Sequence, residues 1–518
     1  MSNTFHIKPF NFLANLLKFY LIVFLILGSI SSLWAQETKQ IEILNANSIE
    51  FNKKSGINAR KLIGNVQFKH ENAIMYCDSA YFYSDKNLID AFSNVSIHQG
   101  DTTHLYGDLL KYNGNTKVAQ FRKNVKMINK EIILTTEYFD YKIEEQIGNY
   151  INGGRILNGE DTLLSEIGYY FGKPKLFYFR KNVVIIVPKQ YTIKSDTMKY
   201  NTVSKVAYFF GPTDITSKDN YIYCENGWYN RITNISQFNK NAYLTSDKQF
   251  LKGDSLYYER NTGIGRAFKN IRLIDSSQNV IVTGNYATYL EKPQKAMVTD
   301  SAMLMQYSES DTMFVHADTM KTDADSANKE KTIRAYFHVK IFKTDMQGKC
   351  DSLVYTTEDS TMRLFSKPVL WMDSDQVTSD YIELHMANKK LNTANLFSSS
   401  FITMKEDSDK YDQIKGRKMI GYFRDNELYK VDVSGNGQTV YYAKDKDSYI
   451  GVNKAESSNM VLYRENKKIK KIVFLTKPDA TLYPLNKVSK EEITLRDFKW
   501  YIKSRPRSKA EIFYWQKE

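Results

Sequence analysis

The chain has 518 residues, of which 42% are hydrophobic, 14% aromatic and 25% charged, and its formal net charge is +14 at pH 7. Only 9 prolines and 24 glycines stand against 37 tyrosines and 29 phenylalanines, which argues against a disordered chain or long linkers and favours β structure. The positive charge is consistent either with binding to anionic polymers or anionic lipids, or with a solvated surface rich in lysine.

The N-terminal segment has the order of a secretory signal peptide. Lys8 and Lys18 precede an apolar run at 19–30, and Ala35 is a small residue before a polar start. We therefore expect residues 1–35 to be a signal peptide that directs export, with an uncleaved membrane anchor as the alternative. No second apolar run of about eighteen residues follows, so we do not expect the remaining chain to cross a membrane as a helix.

A short signature then recurs about every thirty residues. It consists of an acid or Asn, an apolar residue two places later and in most copies an aromatic residue four places later, as in Asp108, Leu110 and Tyr112. A fixed period of this length is typical of stacked supersecondary units, and apolar residues at alternate positions predict a strand with one buried face. The first positions of the copies are Asn47, Asp78, Asp108, Glu137, Glu166, Asp196, Glu225, Asp254, Asn285, Asp318, Asp351 and Asp380.

A second strand is predicted after each signature. It lies about a dozen residues later and contains a recurrent Asn-apolar pair, for example Asn124 with Val125 and Asn270 with Ile271. Asn tolerates left-handed backbone, so this pair predicts a bend, and turn residues such as Asn113 and Gly114 separate the two strands. Each repeat is therefore predicted to be a strand, a hairpin turn and a returning strand.

Strand pairs of this kind cannot bury an apolar face alone, so neighbouring repeats must complete the core. The sequence thus predicts an all-β fold, an elongated β jelly-roll or folded-over β-solenoid with about 12–14 strand-pair repeats. We expect regular repeats over 36–404, irregular continuing strands or a cap over 405–490, and a basic C-terminal tail over 491–518.

The apolar and aromatic positions of the signature are the candidate functional residues, because they line the predicted interior. Inward Gly168 and Gly227 indicate either local room in that interior or a bulge. The inward candidates are Ile49, Phe51, Phe82, Leu110, Tyr112, Phe139, Tyr141, Tyr170, Met198, Tyr200, Tyr229, Leu256, Tyr258, Tyr289, Leu353 and Tyr355.

Catalytic and metal-binding patterns are not found. The seven histidines lack metal-ligand spacing, and neither a phosphate-binding loop nor a nucleophile elbow occurs. One acid per repeat cannot supply the roughly six to eight oxygens of a calcium site, so the acids are interpreted as turn or strand-edge residues. Cys77, Cys224 and Cys350 each precede such an acid and are interpreted as small packing residues. We therefore expect no enzyme activity, no cofactor, no metal and no nucleic-acid partner.

The order of several segments resembles a known family. They are AYFHVKIF at 335–342, QGKCDSLVY at 347–355, KPVLW at 367–371 and GNGQTVYY at 435–442. With the period, they resemble the OstA-like (LptA-type) periplasmic lipopolysaccharide-transport proteins over roughly residues 36–490, in particular the long Bacteroidetes-type members.

The resemblance implies a periplasmic protein whose interior shields the acyl chains of lipid A between the two membranes. It further implies partners in the inner- and outer-membrane transport components, bound by strand-edge pairing. End-to-end association of the chain with itself is expected separately, from an exposed final strand. The alternative is an exported structural or adhesive β-repeat protein with a dry core, since both predict the same alternation of apolar residues.

Overall fold

The computed structural model describes residues 39–51, 59–308, 311–325, 330–387, 390–425, 427–446 and 448–516. Strands account for 73% of these residues and helix for 3%, which confirms the all-β prediction. The predicted signal peptide at 1–35 lies outside the described residues. Contacts divide the chain into two compact units, one formed by residues up to 159 with 169–173, the other by 160–168 with 174–518.

The first unit is built from antiparallel strands that pair in chain order from β3 to β8. The short strands β1 and β2 both pair with β3, and β9 and β10 both pair with β8. The strands are β1 Glu42–Asn45, β2 Ser48–Phe51, β3 Arg60–His70, β4 Ala73–Tyr83, β5 Leu88–Gln99, β6 Thr103–Asn113, β7 Val118–Asn129, β8 Ile132–Lys142, β9 Ile147–Tyr150, β10 Gly154–Asn158 and, from Tyr169 onward, β12 Ile167–Phe171.

The second unit continues the pattern, with β13 to β24 paired antiparallel in chain order. Its strands are β11 Asp161–Ser165, β13 Leu176–Val187, β14 Tyr191–Asn201, β15 Val206–Ser217, β16 Asn220–Asn230, β17 Ile235–Ser246, β18 Gln249–Glu259, β19 Ile264–Asp275, β20 Val280–Leu290, β21 Lys295–Tyr307, β22 Thr312–Asp325, β23 Glu330–Phe342, β24 Met346–Thr356, β25 Thr361–Phe365, β26 Val369–Met372, β27 Asp375–Thr378, β28 Tyr381–Ala387, β29 Lys390–Lys405, β30 Tyr411–Arg424, β31 Glu427–Asp445, β32 Ser448–Glu465, β33 Lys468–Phe474 and β34 Asp479–Tyr483.

A two-residue bulge bends the returning strand of most repeats. In β7 the bulge residues Lys123 and Asn124 are both left-handed, with φ of 65° and 50°, and the pairing register shifts beside them. Asn carries this backbone at low cost, which explains why it recurs there. The predicted bend is thus present, and each strand is divided into a half before the bulge and a half after it.

The two halves of the strands bury their apolar side chains toward a common interior. In β7, Phe121 precedes the bulge and Met127 follows it, and both are fully buried. Phe139 and Tyr141 of β8 are buried as well, with their rings stacked at 5.9 Å. The interior of the first unit is consequently a packed hydrophobic core.

The C-terminal segment after β34 lies on the outer face of the second unit. Short 3₁₀ turns occur at Leu485–Lys487, Ile502–Ser504 and Lys509–Phe513, and a further one, Ser84–Lys86, lies in the first unit. Ile512 packs with Met303 in one buried cluster. None of these helical turns within the described ranges has the length and apolar character needed to cross a membrane.

Candidate functional site

The candidate residues of the first unit differ in exposure. Ile49 and Phe51, on the short strand β2, are each 53% exposed. The others are buried, so their part of the interior is filled by its own side chains. These buried candidates are Phe82, Leu110, Tyr112, Phe139, Tyr141 and Tyr170.

Hydrogen bonds join the two margins of the first unit, by which we mean the two rows of turns at which its bent strands end. His70 lies between the hydroxyl of Tyr112, 2.6 Å from Nδ1, and the carbonyl oxygen of Lys39, 2.9 Å from Nε2. The hydroxyl of Tyr141 donates to Oε1 of Gln99 at 3.0 Å, and burial raises the pKa of both tyrosines. We call these two arrangements, His70–Tyr112 and Gln99–Tyr141, the clasps, because they close the interior against water.

In the second unit the candidates are buried near the bend and accessible near the margin. Met198, Leu256 and Leu353, two places after the signature acid, are buried. The aromatic residues four places after the acid are accessible: Tyr200, Tyr229 and Tyr355 are half-buried, Tyr258 is 36% exposed and Tyr289 is 40% exposed. The bottom of this interior is therefore packed, whereas its rim is open to solvent.

One wall of the rim alternates tyrosine with small residues. Across five successive strands, Tyr229, Ser236, Tyr258, Gly265 and Tyr289 stand in register. A Cβ added to Gly265 would meet Tyr289 Cβ at 3.6 Å and Tyr258 Cδ2 at 3.8 Å, which is ordinary contact. The glycine therefore leaves room for a methyl group between the two rings, and a side chain as large as Phe would occupy the position in front of them.

The opposite wall is aliphatic. Five residues on five successive strands stand in register, and all are half-buried: Ile222, Leu244, Leu251, Leu273 and Val282. This wall is not among the residues predicted from the sequence, since those lie two or four places after each acid. A signal was present, since Ile222, Leu251 and Val282 each lie three residues before a signature position.

We call these two walls together the open groove. Near one end the rings of Tyr191 and Tyr229, from opposite margins, lie 6.0 Å apart, which shows that the walls face each other. The hydroxyl of Tyr258 donates to Glu291 at 3.3 Å, and burial is the main cause of its raised pKa. The tyrosines therefore present rings to the groove and hydroxyls to a polar rim.

The absence of long side chains explains why this rim is open. In the first unit the clasp residues are the last residues of β3 and β5, 42 positions before their tyrosines. The corresponding strand ends before Tyr258 and Tyr289 are Ser217 and Ser246. A serine is too short to reach across, and the hydroxyl of Ser217 donates instead to Asn220 in its own turn, at 3.1 Å.

An ion pair closes the interior again at the C-terminal strands of the second unit. Arg464 contacts Asp375 at 2.7 Å, and both side chains are buried. Burial raises the pKa of Asp375, although Arg464 opposes that shift. Beside the pair lies a cavity of about 540 Å³ whose lining includes Val377 and Ile402.

At Gly227 the structure does not provide the local room that was one of the two alternatives. A Cβ there would lie 2.5 Å from the carbonyl oxygen of Gln237, so this glycine permits a close backbone approach and offers no extra room. The room lies at Gly265 instead.

The cysteines of the interior are placed as packing residues and not as reactive thiols. The three cysteines are free and buried, and burial raises the pKa of Cys77 and Cys224 to about 12, so these two thiols stay protonated. In the described part of the chain, no group of three or more His, Cys, Asp or Glu side chains is placed to hold a metal ion. What the open groove offers is apolar surface with hydroxyl groups at its rim.

Comparison with known families gives two matches. Residues 38–196 and 189–254 match a family described as OstA-like protein. Residues 276–390 match a family described as LptA/(LptD N-terminal domain) LPS transport protein. Tyr229 lies within the first match, Tyr258 lies just after its end, and Tyr289 lies within the second match. No curated protein matches the chain.

Proposed function

Because the chain belongs to the OstA-like family of lipopolysaccharide-transport proteins, we propose that it binds lipopolysaccharide in the periplasm and carries it between the inner and outer membranes. In this proposal the open groove shields the acyl chains of lipid A. The matched families are transport proteins, and we propose no catalytic step.

The observation that carries the proposal is the pair of facing, accessible apolar walls. An apolar side chain left in water forgoes the free energy of burial, which is about 0.8 kcal/mol for each methylene group. An acyl chain laid between the aliphatic wall and the tyrosine rings would recover that free energy on both sides. The space at Gly265, between Tyr258 and Tyr289, would admit the chain more deeply than the rest of the tyrosine wall.

The rim suits the polar part of the same molecule. The hydroxyl groups of Tyr229 and Tyr258 bond to polar side chains at the margin, Asn234 at 2.9 Å and Glu291 at 3.3 Å. Sugars and phosphates could remain in water there while the acyl chains are covered. The net charge of +14 favours the approach of a phosphorylated lipid.

The two units would have different roles. The clasped, self-filled interior of the first unit favours the dry-core alternative for that unit, where Phe82 and Tyr141 would support the fold. The short strands β1 and β2, paired only with β3 among the described strands, would be available for strand-edge pairing with membrane transport components or with another copy.

A photo-crosslinking amino acid in living cells tests the proposal. Placed at Tyr258, it should capture lipopolysaccharide, whereas placed at Tyr257 it should not, because Tyr257 faces outward beneath Arg266. Equal capture at both positions, or at neither, would reject the open groove as the site. Depletion of the protein should also reduce the lipopolysaccharide that reaches the cell surface.

A blocking variant makes the test sharper. Gly265→Phe should fill the space between the tyrosines and reduce capture at Tyr258 at least fivefold. Gly265→Ala is the matched control, because its methyl group makes only ordinary contacts. If the Phe variant keeps full capture while folding normally, the acyl chains do not lie in this groove.

A further inference from the structure

The C-terminal segment 499–516 has a basic and aromatic outer surface whose role the groove does not explain. From its position and composition we infer that this segment docks the second unit onto an anionic lipid bilayer. The inference goes beyond the proposed function and does not depend on which ligand the open groove holds.

The segment is held firmly on the sheet below it. Gln376 donates from Nε2 to the carbonyl oxygen of Lys499 at 2.7 Å and accepts from the backbone N–H of Tyr501 at 2.7 Å. Gln413 holds the preceding backbone in the same way, at Ile493 and Leu495. The segment is therefore a fixed layer over the sheet, with one side left for solvent.

Apolar anchors hold the other end of the segment. Ile512 is 1% exposed and packs with Met303 and Met305 on the outer face of β21. Arg505 donates to Gln347 at 2.7 Å and to the carbonyl oxygen of Asp373 at 2.7 Å. Lys509 also contacts the sheet, because its ammonium group lies over the ring of Phe314.

The exposed side chains of the segment are mostly cationic and aromatic. Four cations are exposed, Lys499, Lys503, Arg507 and Lys509, and the acid of the segment is Glu511. Three consecutive aromatic residues follow. Tyr514 is 70% exposed. Phe513 and Trp515 are 38% and 36% exposed, and one side of each ring lies against His316 and His338 respectively. Five cations, including Arg505, and one acid give residues 499–516 a net charge of +4.

This combination fits the surface of a bilayer. Tyr and Trp prefer the boundary between head groups and acyl chains, where the ring is covered and the polar atom stays wet. Each Lys or Arg near an anionic surface adds about fivefold to binding. Exposed consecutive aromatics on a fixed layer would otherwise remain unfavourably hydrated.

A vesicle flotation assay tests the inference with the chain lacking residues 1–35, whose apolar run would itself insert. The vesicles are phosphatidylcholine alone, or phosphatidylcholine with phosphatidylglycerol, and contain no lipopolysaccharide. We expect binding to the anionic vesicles only, weakened by salt, with a blue shift of the tryptophan fluorescence. Binding that ignores lipid charge, or no binding to either vesicle, would overturn the inference.

Two variants separate the charge from the rings. Lys503→Ala with Arg507→Ala should weaken binding roughly 20- to 30-fold, and Tyr514→Ser with Trp515→Ser should weaken it at least tenfold. The control is Val203→Ser with Ile232→Ser, two exposed apolar residues in turns of the same unit, which should bind as the parent does.

An equal loss of vesicle binding in the control variant would contradict docking through this segment. Unchanged vesicle binding in both test variants would contradict it as well. Unchanged vesicle binding together with loss of an interaction with a transport component would show that the surface recognises a protein and would also overturn the inference. Capture of lipopolysaccharide at Tyr258 reports on the groove alone, so the two proposals can fail separately.

Discussion

The side-chain amide of Asn124 donates a hydrogen bond of 2.7 Å to the carboxylate of Asp108, sixteen residues earlier. The same pairing, over the same separation, joins Asn94 to Asp78 at 2.8 Å. Later copies are Asn182 with Glu166, Asn241 with Glu225 and Asn270 with Asp254. The signature acid therefore fixes the bulge of the returning strand, which explains why both residue types recur with one period.

The bend should depend on both the backbone and the side chain of Asn124. Asn124→Ala removes the hydrogen bond and places a less tolerant residue at φ 50°, so we expect the free energy of unfolding to fall by about 1–3 kcal/mol. Asn124→Gly should cost less, because only the hydrogen bond is lost. Urea denaturation measures both, and Lys126→Ala, exposed on the same strand, should change little. An equally small effect of all three would contradict this role.

The clasp at Gln99 should keep the first unit closed. Gln99→Ser removes the acceptor of the buried Tyr141 hydroxyl and the donor to the Ile143 carbonyl oxygen, 2.8 Å away. We expect a loss of about 1–3 kcal/mol in the free energy of unfolding and faster hydrogen exchange at the ends of β5 and β8. Unchanged exchange would show that the clasp does not hold the margins together.

Replacement of a serine by glutamine at the equivalent strand end of the second unit should narrow the open groove. Ser246→Gln places a clasp-length side chain at the strand end that corresponds to Gln99, opposite Tyr289. We expect it to reduce lipopolysaccharide capture by a crosslinker at Tyr258, whereas Ser246→Ala should leave capture unchanged. If both variants capture lipid like the parent, the length of this residue does not control access to the groove.

The buried Asp412 should make stability depend on pH. Burial raises its pKa to about 8, against an ordinary value of 3.8, while the backbone N–H of Tyr442 donates to it at 2.8 Å. The folded chain therefore retains a proton that the unfolded chain releases above about pH 4. Retention of this proton stabilises the folded chain. That contribution to the free energy of unfolding is complete below about pH 4 and is lost as the pH rises toward 8, by at most about 1.4 kcal/mol per pH unit.

Replacement of Asp412 by Asn tests this dependence. The free energy of unfolding of Asp412→Asn, relative to the parent chain, should rise by roughly 2–3 kcal/mol between pH 5 and pH 7. Asp409→Asn, at an exposed position nearby, should run parallel to the parent. A constant difference across this range would mean that Asp412 does not retain its proton in the folded chain.

The buried pair Arg464–Asp375 should respond differently from the exposed pair Lys467–Asp373, whose atoms lie 2.8 Å apart. Arg464→Met leaves a carboxylate buried without its partner, so we expect a loss of about 3–5 kcal/mol in the free energy of unfolding. Lys467→Met should cost less than about 1 kcal/mol. Adding Asp375→Leu to Arg464→Met should recover most of the loss, and failure to recover would point to damaged packing.

Much of the fold could be predicted from short-range pattern. Alternation before and after each acid predicts strands, and a small residue such as Cys77 or Ser195 beside the acid predicts a tight inward position. The parity of the signature also separates Leu110 and Tyr112, which are buried, from Lys111 between them, which is exposed. These features depend on neighbours one to four residues apart, and the sequence displays such neighbours directly.

The open groove could not be predicted in the same way. Tyr112 and Tyr258 occupy the same place in their repeats, yet one is buried and the other is 36% exposed. The difference corresponds to a residue about 42 positions earlier, His70 for the first and Ser217 for the second, on the opposite margin. That earlier residue can cover the tyrosine only after the bent strands have brought the two margins face to face.

The sequence by itself determined the period, the strands, the bends and the direction of the apolar side chains, because each follows from local backbone preference and alternation. The tertiary structure alone decided which part of the apolar interior is filled and which is accessible. It also placed the basic C-terminal segment on the outer face. The physical reason is that burial depends on side chains brought together across the bend, far apart in the chain, and on whether they are long enough to meet.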